Sequence, residues 1–230
     1  MRSRRLTIKT TALLAALAAA VLAAGVAVAG ITVYKNDFSS RHEVRELRHA
    51  EGKHCVRRWR KRAKNVRVSV KRGPEVCGYR PPVEGDTAGP DHDFQAKEKL
   101  LKATPKGIRD GAYLAVKVRS GKNSGYELRV FPTKHKFQLR RSPQGGGSGF
   151  PARGSSSAVK GVNKPNVLRL KAVNGTVIAR VNGKRVAHVV DTNPAEVDGR
   201  KLEVAIGHRR RRPKPVVATV DDLKVQVPKP

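Results

Sequence analysis

Between Asn166 and Val190 three runs rich in β-branched residues are separated by two Asn-Gly pairs. The runs are Val167 to Val173, Thr176 to Val181 and Arg185 to Val190, and the turns are Asn174-Gly175 and Asn182-Gly183. Asn-Gly is the strongest short hairpin signal, because both central residues of a type I′ turn need positive φ. An antiparallel meander follows from this segment alone. It commits the rest of the chain to complete a sheet.

Other segments supply the partners. Val66 to Val70 alternates Val-Arg-Val-Ser-Val, a half-buried strand with Arg67 and Ser69 on the outer face. Ala112 to Arg119 and Tyr126 to Val130 flank the turn Ser120 to Gly125 and read as a hairpin. A strand beginning near Phe94, another through Phe137 and Leu139, and two more at Leu202 to Ile206 and Val216 to Val227 extend the set. Asp221-Asp222 marks a bulge or bend, since two adjacent acids cannot both face an apolar layer. Pro143 to Ser157, with three consecutive Gly and three consecutive Ser, reads as a flexible loop. Pro81 to Asp93 is a loop, and Asn36 to Ser40 a polar turn whose Phe38 seats a short edge strand. Arg41 to Glu51 fits either a helical turn or a solvated strand.

With aromatics at 4% of the 230 residues, the core must come from small, mostly β-branched side chains, which favours sheet. The fold class is all-β, an antiparallel sandwich of the jelly-roll kind, preceded by one N-terminal apolar helix. The expected division is residues 1–34 as that apolar segment and 35–230 as one domain.

The apolar segment fixes the expected compartment. Arg2, Arg4, Arg5 and Lys9 precede an uncharged stretch from Thr10 to Tyr34. Basic residues stay on the cytoplasmic side, so the chain from Lys35 onward is expected outside. The stretch is long enough to cross a hydrocarbon core of about 30 Å as a signal anchor. Ala27-Val28-Ala29 equally fits a signal peptide cut before Gly30. No Cys follows the run, which excludes a lipoprotein anchor. Ser3-Arg4-Arg5-Leu6-Thr7-Ile8-Lys9 resembles the twin-arginine export signal, with Thr7 where that family usually has Phe, and would imply export of a folded domain. The same residues also read simply as a basic head. Cys55 and Cys77 are the only cysteines, and on the oxidising side of a membrane they read as one disulfide. They are too few for a structural zinc site, and no cofactor is implied.

The order of elements resembles a known superfamily. Asn36-Asp37-Phe38-Ser39, the pair Gly125-Tyr126, Asn166-Val167-Leu168-Arg169-Leu170, Ile178-Ala179-Arg180-Val181-Asn182-Gly183 and Val220-Asp221-Asp222-Leu223-Lys224-Val225 are similar to the concanavalin A-like lectin/glucanase jelly roll. The nearest branch is the one described as 3-keto-disaccharide hydrolases or as a domain of unknown function. The resemblance spans Asn36 to Val227 and implies two antiparallel sheets packed face to face. It carries no active site over. Glycoside hydrolysis needs two positioned carboxyl groups, and Glu196-Val197-Asp198, the nearest local match, sits in a Pro- and Gly-flanked loop without a second Glu at strand spacing. Asp221 and Asp222 read as closing the last strand. Tyr113 and Tyr126 lie inside strands and read as packing residues rather than sugar platforms.

Lys and Arg number 49 against 18 Asp and Glu, a formal charge of +31. Such a field favours anionic partners, or reflects a general preference for basic residues in the source proteome. Two clusters, each expected to project from a loop or turn, form candidate anion sites: Arg57, Arg58, Trp59, Arg60, Lys61 and Arg62, within the span between the cysteines, and Arg209, Arg210, Arg211 and Arg212 between the last two strands. Guanidinium forks suit phosphate and carboxylate, and Trp59 suits a ring or a membrane interface. No nucleic-acid-binding signature is present. The expected partner is an anionic envelope polymer or lipid surface, or a glycan. Three roles follow: a non-catalytic binding or structural domain of the envelope, a carbohydrate-active hydrolase, and a regulatory ectodomain working through a partner protein.

Overall fold

A computed structural model describes residues 30–71, 76–83, 91–121, 124–209 and 215–228. The apolar helix, the cleavage and twin-arginine motifs and Arg210, Arg211 and Arg212 lie outside the described residues. Two antiparallel sheets form the domain. The first, sheet A, contains β1 (Ile31–Asn36), β3 (Cys55–Arg60), β4 (Asn65–Val70), β6 (His92–Leu100), β11 (Asn166–Val173), β12 (Thr176–Val181), β13 (Lys184–Val190) and β15 (Val216–Val227). Its order is β13-β12-β11-β6-β15-β4-β3, with β1 also paired to β15. Sheet B contains β2 (Arg48–Glu51), β5 (Val76–Arg80), β7 (Ala112–Ser120), β8 (Gly125–Phe131), β9 (Lys136–Ser142), β10 (Gly149–Ser155) and β14 (Lys201–His208), in the order β10-β9-β8-β7-β14-β5-β2. Of two short helices among the described residues, α1 (Arg41–Glu46) and α2 (Lys106–Arg109), the first is capped at its start by the Ser40 hydroxyl, which accepts from the Glu43 amide.

Alternation along the strands builds the core. Leu168, Leu170 and Ala172 of β11, Val177, Ala179 and Val181 of β12, and Val66, Val68 and Val70 of β4 point inward from sheet A. Leu114, Val116 and Val118 of β7 with Leu128 and Val130 of β8 meet them from sheet B. The two meander turns adopt the expected conformation, with φ of 48° and 76° at Asn174-Gly175 and 49° and 81° at Asn182-Gly183. Asn182 adds a second function, since its side chain accepts from the Val167 amide and donates to the Ala158 carbonyl.

Cys55 and Cys77 are bonded, with Cα atoms 5.6 Å apart. Cys55 belongs to β3 of sheet A and Cys77 to β5 of sheet B, so the bridge ties the two sheets together at one end of the sandwich. The expected bulge at Asp221-Asp222 is present. The β15 to β6 register shifts between Asp221 and Lys224, Asp222 has φ 45°, and Lys97 takes both carboxylates at 3.0 and 2.8 Å.

Two readings need correction, and two others become definite. Residues Ile31 to Tyr34, assigned from sequence to the apolar segment of 1–34, pair with β15, so the sandwich begins at Ile31 rather than Lys35. The alternation of Thr32 and Tyr34 within an apolar surrounding disguised a strand. Phe38 lies in the expected turn, directly after β1, fully buried with φ 55° and closed by the Asn36 side chain accepting from its amide at 2.8 Å. Arg41 to Glu51 is both alternatives in succession, α1 and then β2. Half of the expected flexible loop 143–157 is strand β10, paired to β9 at the edge of sheet B. Pro151 is tolerated there because an edge strand leaves one side of its backbone unpaired.

One core position conflicts with its surroundings. Glu98 of β6 shares the inward face with Phe94, Ala96 and Leu100 and is 1% exposed. Burial, weakly offset by the Ala115 backbone, holds its pKa well above the ordinary value of 4.5. The folded state therefore keeps a proton that the unfolded chain releases above that value. Stability from this site declines as pH rises, by about 1.4 kcal/mol for each unit over which only the unfolded state is ionised. Glu98→Gln should raise the melting temperature, by a margin that widens between pH 5 and pH 8. A margin independent of pH would show that Glu98 does not titrate this way.

Candidate functional site

The end of the sandwich opposite the disulfide is open. There, β9 and β10 of sheet B face β12 and β13 of sheet A, and a cleft of about 320 Å³ lies between them. That volume is at the lower end of small-ligand pockets. Its apolar walls are Leu139, Pro151, Val177 and Val189, and its polar end is formed by Tyr126, Arg141 and Asp191, with Thr192 and Asn193 at the same site. Val190 lines it as well and is 68% exposed, so the mouth is accessible.

The polar end is a preorganised network. The Tyr126 hydroxyl donates to Asp191 Oδ2. Arg141 Nε donates to the same oxygen at 2.7 Å, and the Asn193 amide donates to Oδ1 at 2.9 Å. One terminal guanidinium nitrogen of Arg141 donates to the Asn193 carbonyl at 2.9 Å and to Glu196 at 2.8 Å. Burial alone would raise the Asp191 pKa, but Arg141 and Tyr126 outweigh it and hold the carboxylate below its ordinary range. Burial and the facing Asp191 push the Tyr126 phenol well up, so it stays a donor. The result is a fixed anion, a fixed cation and a hydroxyl beside an apolar wall.

A second polar assembly occupies the outer face of sheet B. Lys117 lies between Glu51 and Glu203, and Glu203 also accepts from Ser120 at 2.9 Å and Arg80 at 3.0 Å. Arg129 pairs with Glu127 at 2.7 Å and stacks over Tyr113 at 4.6 Å. Burial, with Glu127 adding to it, pushes the Tyr113 phenol up to about 12. Burial opposes ionisation of Glu203, but Lys117, Ser120 and Arg80 hold its pKa below the ordinary value. Three carboxylates thus gather on one face, each matched to cations. That is a charge-compensated layer rather than a separated acid and base.

The residues singled out from sequence fall in several places. Arg57 to Arg60 form strand β3, not a loop, and alternation divides them. Arg57 faces inward, donating to the Leu47 carbonyl and covering the Tyr79 ring at 5.3 Å. Trp59 packs against the core and donates to the Phe38 carbonyl at 3.1 Å. Both serve the fold. Arg58 and Arg60 are exposed on the outer face of sheet A, and Lys61 and Arg62 continue in an exposed 3-10 turn. Arg209 follows β14 of the other sheet and stacks on Phe131 at 4.4 Å, the rest of its cluster lying outside the described residues. Glu196 lies in a 3-10 turn as a counter-ion to Arg141. Tyr113 is buried under Arg129 and Tyr126 is buried in the core, both as the packing reading expects, and Tyr126 also borders the cleft. Arg141 and Asp191 were not singled out from sequence, because neither belongs to a motif and their meeting depends on how the two sheets stack. Among the described residues no three His, Cys, Asp or Glu side chains are placed to hold a metal, and no helix is long and apolar enough to cross a membrane.

No family model and no curated protein matches the chain. Solved structures do. A Bacillus subtilis protein of unknown function with a galectin-like fold superposes with a TM-score of 0.61 at 13% identity, covering 87% of this chain and 98% of its own. The chain has a galectin-like fold. The carbohydrate-binding module CBM66 from Bacillus subtilis matches with a TM-score of 0.52 at 14% identity, over 70% of this chain and 86% of that one. The Crh5 transglycosylase solved in complex with NAG matches with a TM-score of 0.59 at 9% identity, over 86% and 84%. Identities this low establish the sandwich and leave activity to be argued from the residues.

Removing the cation at the polar end exposes how the cleft is held. Arg141→Met leaves Asp191 with neutral donors only and should destabilise the fold at pH 7 by about 2 kcal/mol, the scale of a charged hydrogen bond. The depressed Asp191 pKa places the pair's contribution above the ordinary carboxyl range, to be lost as pH falls through the folded value. The deficit should therefore shrink below about pH 4, and chemical denaturation at pH 7 and pH 3.5 measures it. An equal deficit at both would contradict the assignment.

Proposed function

We propose that this protein is a non-catalytic glycan-binding domain working outside the cytoplasm, with the cleft between β9–β10 and β12–β13 as its saccharide site. The observation that carries the reading is the composition of that cleft: an apolar wall of Leu139, Pro151, Val177 and Val189 beside Tyr126, Arg141, Asp191 and Asn193. A sugar ring presents one apolar C–H face and a rim of hydroxyls, so a site for it needs a flat apolar contact and a few fixed donors and acceptors. The volume of about 320 Å³ suits a ring or two rather than a long chain. That favours the end or a branch of a glycan.

Several findings support the setting. The disulfide between Cys55 and Cys77 fits an oxidising compartment. The carbohydrate-binding module and the NAG-complexed transglycosylase share the fold, and saccharide is also the ligand class implied by the resemblance to the 3-keto-disaccharide hydrolase branch. The location we infer is the cell envelope, where the basic N-terminal head and apolar segment would deliver the chain as an anchored or released protein.

The test blocks the mouth without touching the polar network. Val190 is largely exposed, so Val190→Trp fills the entrance at little cost to folding. Full-length protein titrated with gluco-, fructo- and chito-oligosaccharides should bind at least one series, and the variant should lose at least tenfold in affinity for it with an unchanged melting temperature. Binding that survives the block, or no binding to any series, would overturn the reading.

A further inference from the structure

The outer face of sheet A carries a row of cations, most of which have no carboxylate at ion-pair distance among the described residues; Arg180 donates to the Gly183 carbonyl at 3.1 Å. Following the cross-strand register, Lys35 of β1 lies opposite Lys224 of β15, Lys224 opposite Gln95 of β6, Gln95 opposite Arg169 of β11, Arg169 opposite Arg180 of β12, and Arg180 opposite Arg185 of β13. The row crosses six strands, and at a strand spacing of ~4.8 Å it extends about 24 Å. Five of its six positions are basic. A neighbouring row on the same face adds Arg58, Arg67 and Lys99, spaced around Thr219.

Like charges directly opposite each other destabilise a sheet. At the centre of sheet B that cost is offset by carboxylates. On the outer face of sheet B, Lys117 meets Glu51 and Glu203, and Arg129 meets Glu127. In the row on sheet A only Arg169 is compensated, by both Asp93 oxygens at 2.7 and 2.5 Å. Among the described residues no carboxylate lies at ion-pair distance from Lys35, Lys224, Arg180 or Arg185, although Asp37 feels the charge of Lys35, while the two acids of this face near Lys97 are both spent on Lys97. A proteome-wide taste for basic residues would scatter charge without regard to register. Here cations align across strands whose turns and bulge fix that register.

We propose that this row is a docking surface for an extended linear polyanion bearing phosphate groups, lying across the strands of sheet A. Arg180 and Arg185 in adjacent strands present guanidinium groups that can take phosphate oxygens, with Arg169 beside them held by Asp93. The straight, regularly spaced row suits a chain of repeating charges better than a single anion, and binding would remove the repulsion that the free protein carries. The site lies on the outside of sheet A, whereas the saccharide cleft lies between the sheets, so the two can be occupied and tested separately.

The probe is long-chain inorganic polyphosphate, with orthophosphate as the monomeric comparison, titrated into the full-length protein. Two double variants interrupt the row at opposite ends, Arg180→Glu with Arg185→Glu and Lys35→Glu with Lys224→Glu. A third, Lys136→Glu with Arg153→Glu, makes the same charge change on the exposed edge of sheet B. Both row variants should weaken polyphosphate binding at least tenfold and lower the slope of log affinity against log salt by ~0.7 for each cation contact removed, while the edge variant stays within about threefold, the ordinary range of screened surface charge. Melting temperatures of the row variants should stay close to that of the unaltered protein, because each exchanges one like-charge surface pair for another. Val190→Trp should leave polyphosphate binding intact, which separates failure here from failure of the saccharide reading. Equal losses in all three variants would assign binding to bulk charge. Competition by orthophosphate at equal phosphate concentration would remove the linear ligand. Loss of anionic-vesicle binding in the row variants, with polyphosphate binding retained, would assign the face to lipid; each of these results overturns the proposal.

Discussion

The register of sheet A is the constraint on which the rest of the structure depends. Two type I′ turns pin β11, β12 and β13 to one another, and because side chains alternate with a period of two, a slip of one residue would bury Arg169 and Arg180 and expose Leu168, Leu170 and Ala179. Nothing in the core can absorb two guanidinium groups. The same register that places small apolar residues inside therefore places the basic row outside. The bulge at Asp221-Asp222 makes the complementary adjustment in β15, letting Val220 and Leu223 both face the core although they are three positions apart.

The two ends of the sandwich are closed in different ways. At one, β3 and β5 are tied by the disulfide, and Trp59 and Arg57 fill the gap with side chains that also hydrogen-bond to backbone carbonyls. Closing a loop of this span contributes about 3 kcal/mol in the chain-entropy model, a useful addition for a core with few aromatics. At the other end no covalent link joins β13 to β10. The sheets part there, and Tyr126, Arg141 and Asp191 replace apolar contact with a directional network. A cleft appears where the sandwich is held by hydrogen bonds instead of by a packed seam.

Much of this was legible in the chain and some was not. The meander, the β7–β8 hairpin, the last two strands, the bulge and the disulfide all rest on local signals: turn residues that accept positive φ, alternation, and a lone cysteine pair. Strand β1 was hidden because Ile31 to Tyr34 continue an apolar run, and β10 because Gly and Pro suggest a loop wherever a strand is not independently expected. The basic run at Arg57 to Arg62 could be seen but not divided, since only the strand assignment reveals that Arg58 and Arg60 face out while Arg57 and Trp59 face in. Asp191 and Arg141 are separated by a span that contains four strands, β10 to β13, and no spacing rule connects them. Residues that meet because two sheets stack are beyond what periodicity can report.

Nuclear magnetic resonance mapping tests the central claim most directly, because it locates a ligand without assuming which residues bind it. Titrating isotope-labelled full-length protein with the oligosaccharide series that binds best should shift the amides of Leu139, Arg141, Val177, Val189 and Asp191, and leave those of Arg169, Arg180 and Lys224 unmoved. Shifts concentrated on the outer face of either sheet, with the amides of the cleft unchanged, would contradict the account.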